Sequence, residues 1–143
     1  MVIRPYEPAD ESAVVQLWHT CELIVPWNDP YKDIQRKLKI QSNMFLVAYH
    51  DETLVATVMA GYEGHRGWIN YLAVHPDYRK KGLGKRMMDE AELLLRQAGC
   101  PKICLQVRSH NTAVIEFYKR IDFEPDDVVS FGKRLESDET PGE

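Results

Sequence analysis

The sequence predicts one α/β domain: a mixed β-sheet with helices on both faces. Three observations carry that prediction. Apolar residues recur with period two in some segments and with helical spacing in others, and the two kinds are interspersed along the chain. Three strand-like runs in the middle are joined by short turns, as antiparallel hairpins are. After residue 68 the order becomes strand–helix–strand, which requires a parallel crossover. A chain of 143 residues suits one domain and is long enough to bury a core without staples.

Val2, Ile3 and Arg4 form a short first strand stopped by Pro5. Pro8 suits the first turn of a helix, whose apolar stripe is Ala13, Val14, Leu17, Trp18 and Cys21. A break follows at residues 26–30. Asn28 or Asp29 then caps a second helix with Pro30 at its first position and Tyr31, Ile34 and Leu38 as its stripe. Residues 45–50 alternate as a strand, and the turn at 50–52 leads into a long apolar run at 54–62, which reads as a central strand. The turn at 63–67 precedes a strand at 68–74, ended by His75-Pro76. Leu83, Met87, Met88, Ala91, Leu94, Leu95 and Ala98 line one face of the strongest helix, stopped by Gly99 and Pro101. A strand at 103–107 follows, then a short helix capped by Asn111, then a last strand at 128–135.

Composition excludes several classes. No stretch approaches the ~18 apolar residues of a membrane span, and the first residues lack a signal core. Cys21, Cys100 and Cys104 contain no CxxC pair, so neither a disulfide framework nor a cysteine-built zinc site is expected; a reducing cytoplasm fits. The net charge of −4 disfavours a nucleic-acid-coating protein. The domain is expected to span 1–135, with 136–143 as an acidic, frayed tail.

Against that acidic background, Arg79, Lys80, Lys81, Lys85 and Arg86 place five cations in eight residues. They surround Gly82 and Gly84 where a strand and loop give way to the strongest helix. Unpaired N–H groups and partial positive charge at a helix start make an anion cradle, and residues without side chains let an anion come close. The loop is not a P-loop, because Arg86 follows Gly84-Lys85 where Ser or Thr is required. Nor is it a dinucleotide fingerprint, because position 87 is Met.

The segment from Leu72, Val74, Pro76 and Arg79 through Gly82 and Gly84 resembles motif A of the GCN5-related N-acetyltransferases, the GNAT superfamily. Asn111 through Tyr118 to Phe123 resembles its motif B, with Asp122 replacing the usual glycine. The resemblance covers nearly the whole chain. Residues 26–30, 64–67 and 99–103 are further similar to a small bacterial YpeA-like branch, related to the ribosomal-protein N-terminal acetyltransferases.

It implies a splayed sheet and acetyl transfer from acetyl-CoA to a primary amine by direct attack, with no metal. Backbone N–H groups at Arg79, Lys80, Lys81, Gly82, Leu83, Gly84 and Lys85 are then expected to hold the pyrophosphate. The strand at Leu72, Ala73 and Val74 is expected to pair with the pantetheine arm, and Asn111 to contact that arm. Tyr118 is the expected acid for the departing thiolate; its reference pKa of ~10 lies near that of a thiol.

The base is less defined. Many family members carry a Glu on the strand at 68–74, and none stands there. Glu63, and with less claim His65, are the candidates in the adjoining turn, directly or through water. Trp27 and Asp29 are expected in the acceptor groove. Deprotonating a lysine at pH 7 costs roughly 4–5 kcal/mol, an α-amine about 1–1.5. A chain without a strong base therefore favours a protein N-terminus or a small-molecule amine. No nucleic-acid or membrane partner is expected, and a homodimer is compatible with the sequence. The alternative is a GNAT-like module that binds acyl-CoA without turnover.

Overall fold

A computed structural model describes residues 1–139. Five strands, β1 (Val2–Pro5), β2 (Phe45–His50), β3 (Thr53–Tyr62), β4 (Gly67–Val74) and β5 (Ile103–Cys104), form one sheet in the order β1-β2-β3-β4-β5. The first three pairings are antiparallel and β4–β5 is parallel, so the expected mixed sheet is present. Among the described residues no helix is long and apolar enough to cross a membrane.

Helices α1 (Glu11–Thr20) and α2 (Pro30–Leu38) share a core with one face of the sheet, and α3 (Leu83–Gln97) and α4 (Thr112–Arg120) share a core with the other. Asp29 caps α2 by accepting from the N–H groups of Tyr31 and Lys32, and Pro30 occupies the first helical position, as the sequence predicts. On the α1/α2 face the buried Trp18 lies between Phe45 and Tyr71, with the Tyr71 ring centroid 3.8 Å away. On the other face Leu83, Met87, Met88, Ala91 and Leu95 of α3 pack on Val58, Ala60 and Ile69. The buried Asp10, before α1, accepts from both Arg4 guanidinium nitrogens (2.8 and 2.9 Å) and the Tyr49 hydroxyl (2.7 Å), tying the chain start to β1 and β2. Burial alone would raise the Asp10 pKa, but these bonds hold the carboxyl below its usual range.

Three sequence expectations change. The strand expected at 103–107 is paired only at Ile103 and Cys104. The last strand, at 128–135, is not formed. That segment has no regular structure and is exposed, with Phe131 93% accessible, because alternation makes a strand only where a neighbouring edge accepts its hydrogen bonds. It meets the body through side chains: Lys102 with Asp126, Gln106 with Ser130, and Arg134 with the Trp27 carbonyl and Asn28. Finally, the start of the acidic tail is pinned. Asp138 is buried, accepts from Arg36 at 2.7 and 3.0 Å and from the Asp29 N–H at 3.1 Å. Positions 140–143 of that tail lie outside the described residues.

Candidate functional site

The parallel pair β4–β5 holds together for two rungs only, Gly67 with Ile103 and Trp68 with Cys104. Beyond them β4 runs on to Val74 along β3, while the chain after β5 leaves the sheet. Residues 69–74 therefore present an edge of roughly 20 Å that no strand among the described residues covers. A bulge sits in the middle of this edge: Tyr71 and Leu72 together oppose Val58, and Tyr71 adopts the left-handed region with φ 51°. Buried Thr57 holds the bulge in place. Its hydroxyl donates to the Tyr71 carbonyl and accepts from the Trp18 indole N–H, both at 2.9 Å. The Val74 carbonyl is already occupied, accepting from the Arg79 Nε at 3.0 Å and the Cys21 thiol at 3.4 Å.

At the far end of β4 the chain turns through residues 75–82 into α3. Gly82 is the N-cap with φ 79°, a conformation that disfavours any side chain, and no side chain caps the first turn. The N–H groups at the start of α3 are thus left for an anion. A cleft of about 110 Å³ opens there, lined by Met1, Tyr78, Lys81, Gly82, Leu83 and Arg86. The five cations divide by role. Arg79 braces the end of β4, Lys85 is paired with Asp89 at 2.8 Å, and Lys81 lies over the Tyr78 ring. Lys80 and Arg86 have no acidic partner within 4 Å among the described residues. Gly84 differs from the expectation that both glycines clear room for an anion. A Cβ there would stand 3.1 Å from the Phe117 ring, so Gly84 allows α4 to pack against the start of α3.

That packing brings in the motif B residues. Asn111 caps α4 through the Val114 N–H at 3.4 Å. Asp122 takes the left-handed conformation, φ 74°, in place of glycine. Tyr118 is 9% exposed and sits edge-on between Phe117 and Phe123. The core around it includes Leu72 and Val74 from β4 and Leu105 and Val107 from beyond β5, the two sides of the gap. Burial pushes its phenol up to about 12. Every fully buried side-chain polar atom among the described residues has a partner, and the Tyr118 hydroxyl has none, so it reaches open space.

Glu63 does not join this group. It follows β3 at the closed end of the β4–β5 pair, level with Arg66 and so six residues and roughly 20 Å along β4 from Leu72. Its carboxylate accepts from the N–H of Arg66 and of His65, and these bonds hold it below the usual carboxylate range. It closes its own turn, which corrects the expectation that it faces the splay. His65 is exposed in the same turn.

The carboxylate that does approach β4 is one the sequence did not single out. Asp33 of α2 accepts from the Tyr71 hydroxyl at 2.6 Å. Burial, reinforced by the Asp33 bond, pushes the Tyr71 phenol well above its ordinary value. In sequence Asp33 and Arg36 look like a surface i,i+3 pair; only the fold brings Asp33 to the bulge, 38 residues away. Trp27, half exposed, lies under the Arg108 guanidinium, so the loop before α2 meets the segment after β5 across the groove.

Comparison with known proteins agrees with this geometry. The model of the acetyltransferase (GNAT) family matches residues 12–123. An acetyltransferase of Yersinia pestis is 46% identical over 135 residues, 94% of this chain and 96% of the relative. The fold superimposes on AAC(6')-Iy in complex with a bisubstrate analogue, CoA-S-monomethyl-acetylneamine, with TM-score 0.76, 16% identity and coverage of 94% and 98% of the two chains. It also matches the ribosomal-protein-S18-alanine N-acetyltransferase of Escherichia coli, with TM-score 0.71, 19% identity and coverage of 86% and 77%.

Proposed function

The chain belongs to the acetyltransferase (GNAT) family, and from that premise we propose that it moves the acetyl group of acetyl-CoA to a primary amine by direct attack in a ternary complex. The observation that carries this is the divergence of β4 from β5 beside the uncapped first turn of α3. Together they fit a ligand with an extended, hydrogen-bonding arm and a polyanionic end. The free N–H groups from Lys80 to Lys85, with the Lys80 and Arg86 charges, take the diphosphate. The open edge at Leu72 and Ala73 takes the amide-bearing arm, and a backbone N–H of that edge polarises the thioester carbonyl. Asn111, at the head of α4, flanks the arm.

Acetyl-CoA supplies an activated acyl group, so the protein needs no nucleophile of its own. The amine nitrogen bonds to the acetyl carbon, the carbon–sulfur bond breaks, and one proton must leave nitrogen while one reaches sulfur. Tyr118 gives the second proton; a phenol held near 12 keeps its proton throughout the working range. No carboxylate stands on β4 for the first, so that proton leaves to water or the amine arrives already neutral.

Two arms test the proposal. Calorimetry should show acetyl-CoA binding, and thiol release should appear when small amines or peptides with free N-termini are supplied. Binding without release for every acceptor would leave an acyl-CoA-binding module instead.

A further inference from the structure

The face of β4 opposite Tyr118 carries a second polar feature. Tyr71 leaves the strand at the bulge, on the α1/α2 side, and its ring is fixed by stacking on buried Trp18. Its hydroxyl ends on Asp33 Oδ2 at 2.6 Å. The Asp33 side chain is 24% exposed, so its carboxylate is oriented by the protein and still reachable. Arg36 approaches the other oxygen at 3.2 Å, but that guanidinium is already engaged by Asp138 at 2.7 and 3.0 Å. Asp29 is spent on the helix cap, and Glu136 stands 3.6 Å from Arg36. Arg134 is directed to the Trp27 carbonyl, Asn28 and Asp138. Among the described residues no cation other than the shared Arg36 lies within 4 Å of Asp33.

The separation matters. The attacking nitrogen must come within about 3–3.5 Å of the thioester carbon, which lies along the β4 edge. Asp33 lies a tyrosine side chain's length from that edge, too far to take the same nitrogen. It is placed for a second positive charge on the same acceptor.

We propose that Asp33, set in place by Tyr71, is a specificity-determining residue that binds a distal ammonium of the acceptor, making the preferred acceptor a small di- or polyamine. This rests on the acetyl-transfer reading above and narrows its acceptor. Tyr71 is a positioning residue, acting only through Asp33.

The experiment compares matched probes, 1,4-diaminobutane against n-butylamine and 1,6-diaminohexane against n-hexylamine, by thiol release from acetyl-CoA. The wild-type protein should give a kcat/KM at least tenfold higher for the better diamine than for its monoamine partner. Asp33→Asn, which keeps the shape and can still accept from Tyr71, should abolish that ratio by raising KM for the diamine. It should leave kcat, acetyl-CoA affinity and monoamine kinetics within about twofold. Added salt should raise the diamine KM in the wild-type protein and not in the variant. Tyr71→Phe should reduce the ratio partway, and Asp33→Glu should restore part of it. No diamine preference in the wild-type protein, or a preference unchanged in Asp33→Asn, overturns the proposal while leaving acetyl transfer standing. No release with any amine or N-terminal peptide overturns the acetyl-transfer reading itself, and the acceptor proposal with it.

Discussion

In the proposed reaction Tyr118 is the residue on which the donor chemistry turns. Its ring lies in the α3/α4 core between Phe117 and Phe123, and its hydroxyl has no protein partner. Burial pushes its phenol up to about 12 from the usual tyrosine value of about 10. The raised value means the protonated phenol stabilises the fold below pH 10, and that contribution is lost as pH rises through about 12. The phenol is therefore protonated at any pH the protein meets. Tyr118→Phe should lower turnover by about 10²-fold, the lower part of the general-acid range, with acetyl-CoA affinity nearly unchanged. Stopped-flow or steady-state thiol release checks this, and wild-type turnover in a folded Phe variant would make Tyr118 a core residue only. Motif spacing singled out Tyr118 and the glycine loop in the sequence. Asp33 was not legible, because nothing local distinguishes it from any helical surface acid, and its meaning arises from a contact with Tyr71 38 residues away. Glu63 failed for the same reason in reverse. Its sequence position beside a strand says nothing of the two N–H groups that occupy it.

At the scale of elements, the bulge in β4 shapes the middle of the open edge. Its stability comes from across the sheet. Thr57 of β3 accepts from Trp18 of α1 and donates to the Tyr71 carbonyl, so one hydroxyl links three elements. Thr57→Val keeps the volume and removes both bonds. Each buried group left without a partner costs on the order of 1–3 kcal/mol, so denaturant unfolding should show a loss of that order. Turnover should fall more than acetyl-CoA affinity, because the bulge shapes the middle of the edge and the α3 cradle is separate. Thr57→Ser should recover most of both. Equal stability for Thr57→Val would mean the bulge needs no such support. Most elements were readable because their signals are local: the Asp29-Pro30 start of α2, the long stripe of α3, the apolar runs of β2 to β4. The segment 128–135 misled because Val129, Phe131, Lys133 and Leu135 alternate as a strand would, while pairing depends on an edge elsewhere. The break-off of β5 after Cys104 is equally invisible to periodicity, yet it leaves the edge of β4 open.

Over the whole molecule, the two ends of the chain are fastened to the α1/α2 side by buried carboxylates. Asp10 takes Arg4 and Tyr49 near the start, and Asp138 takes Arg36 and the Asp29 N–H near the end. The second clasp spans 102 residues between Asp138 and Arg36, so it restrains the C-terminal segment against α2 and the loop before it. The Arg36 guanidinium, chiefly, and the Asp29 N–H hold the Asp138 carboxyl far below the usual carboxylate range. A depressed carboxyl contributes stability above its unfolded pKa of about 3.9 and loses it as pH falls towards the folded value. Asp138→Asn should therefore be less stable than wild type by a constant margin from pH 7 down to about 5. That margin should shrink steadily below pH 4, as the wild-type carboxylate itself becomes protonated. Thermal unfolding of both proteins across pH 3–7 measures it, and a margin that is absent at pH 7 or undiminished at pH 3 would remove the clasp. The same substitution should reach the groove. With Asp138 neutral, Arg36 is left to Asp33 and Glu136, and its charge then offsets Asp33 more completely. A diamine preference that depends on Asp33 should weaken in Asp138→Asn, whereas the monoamine rate should hold.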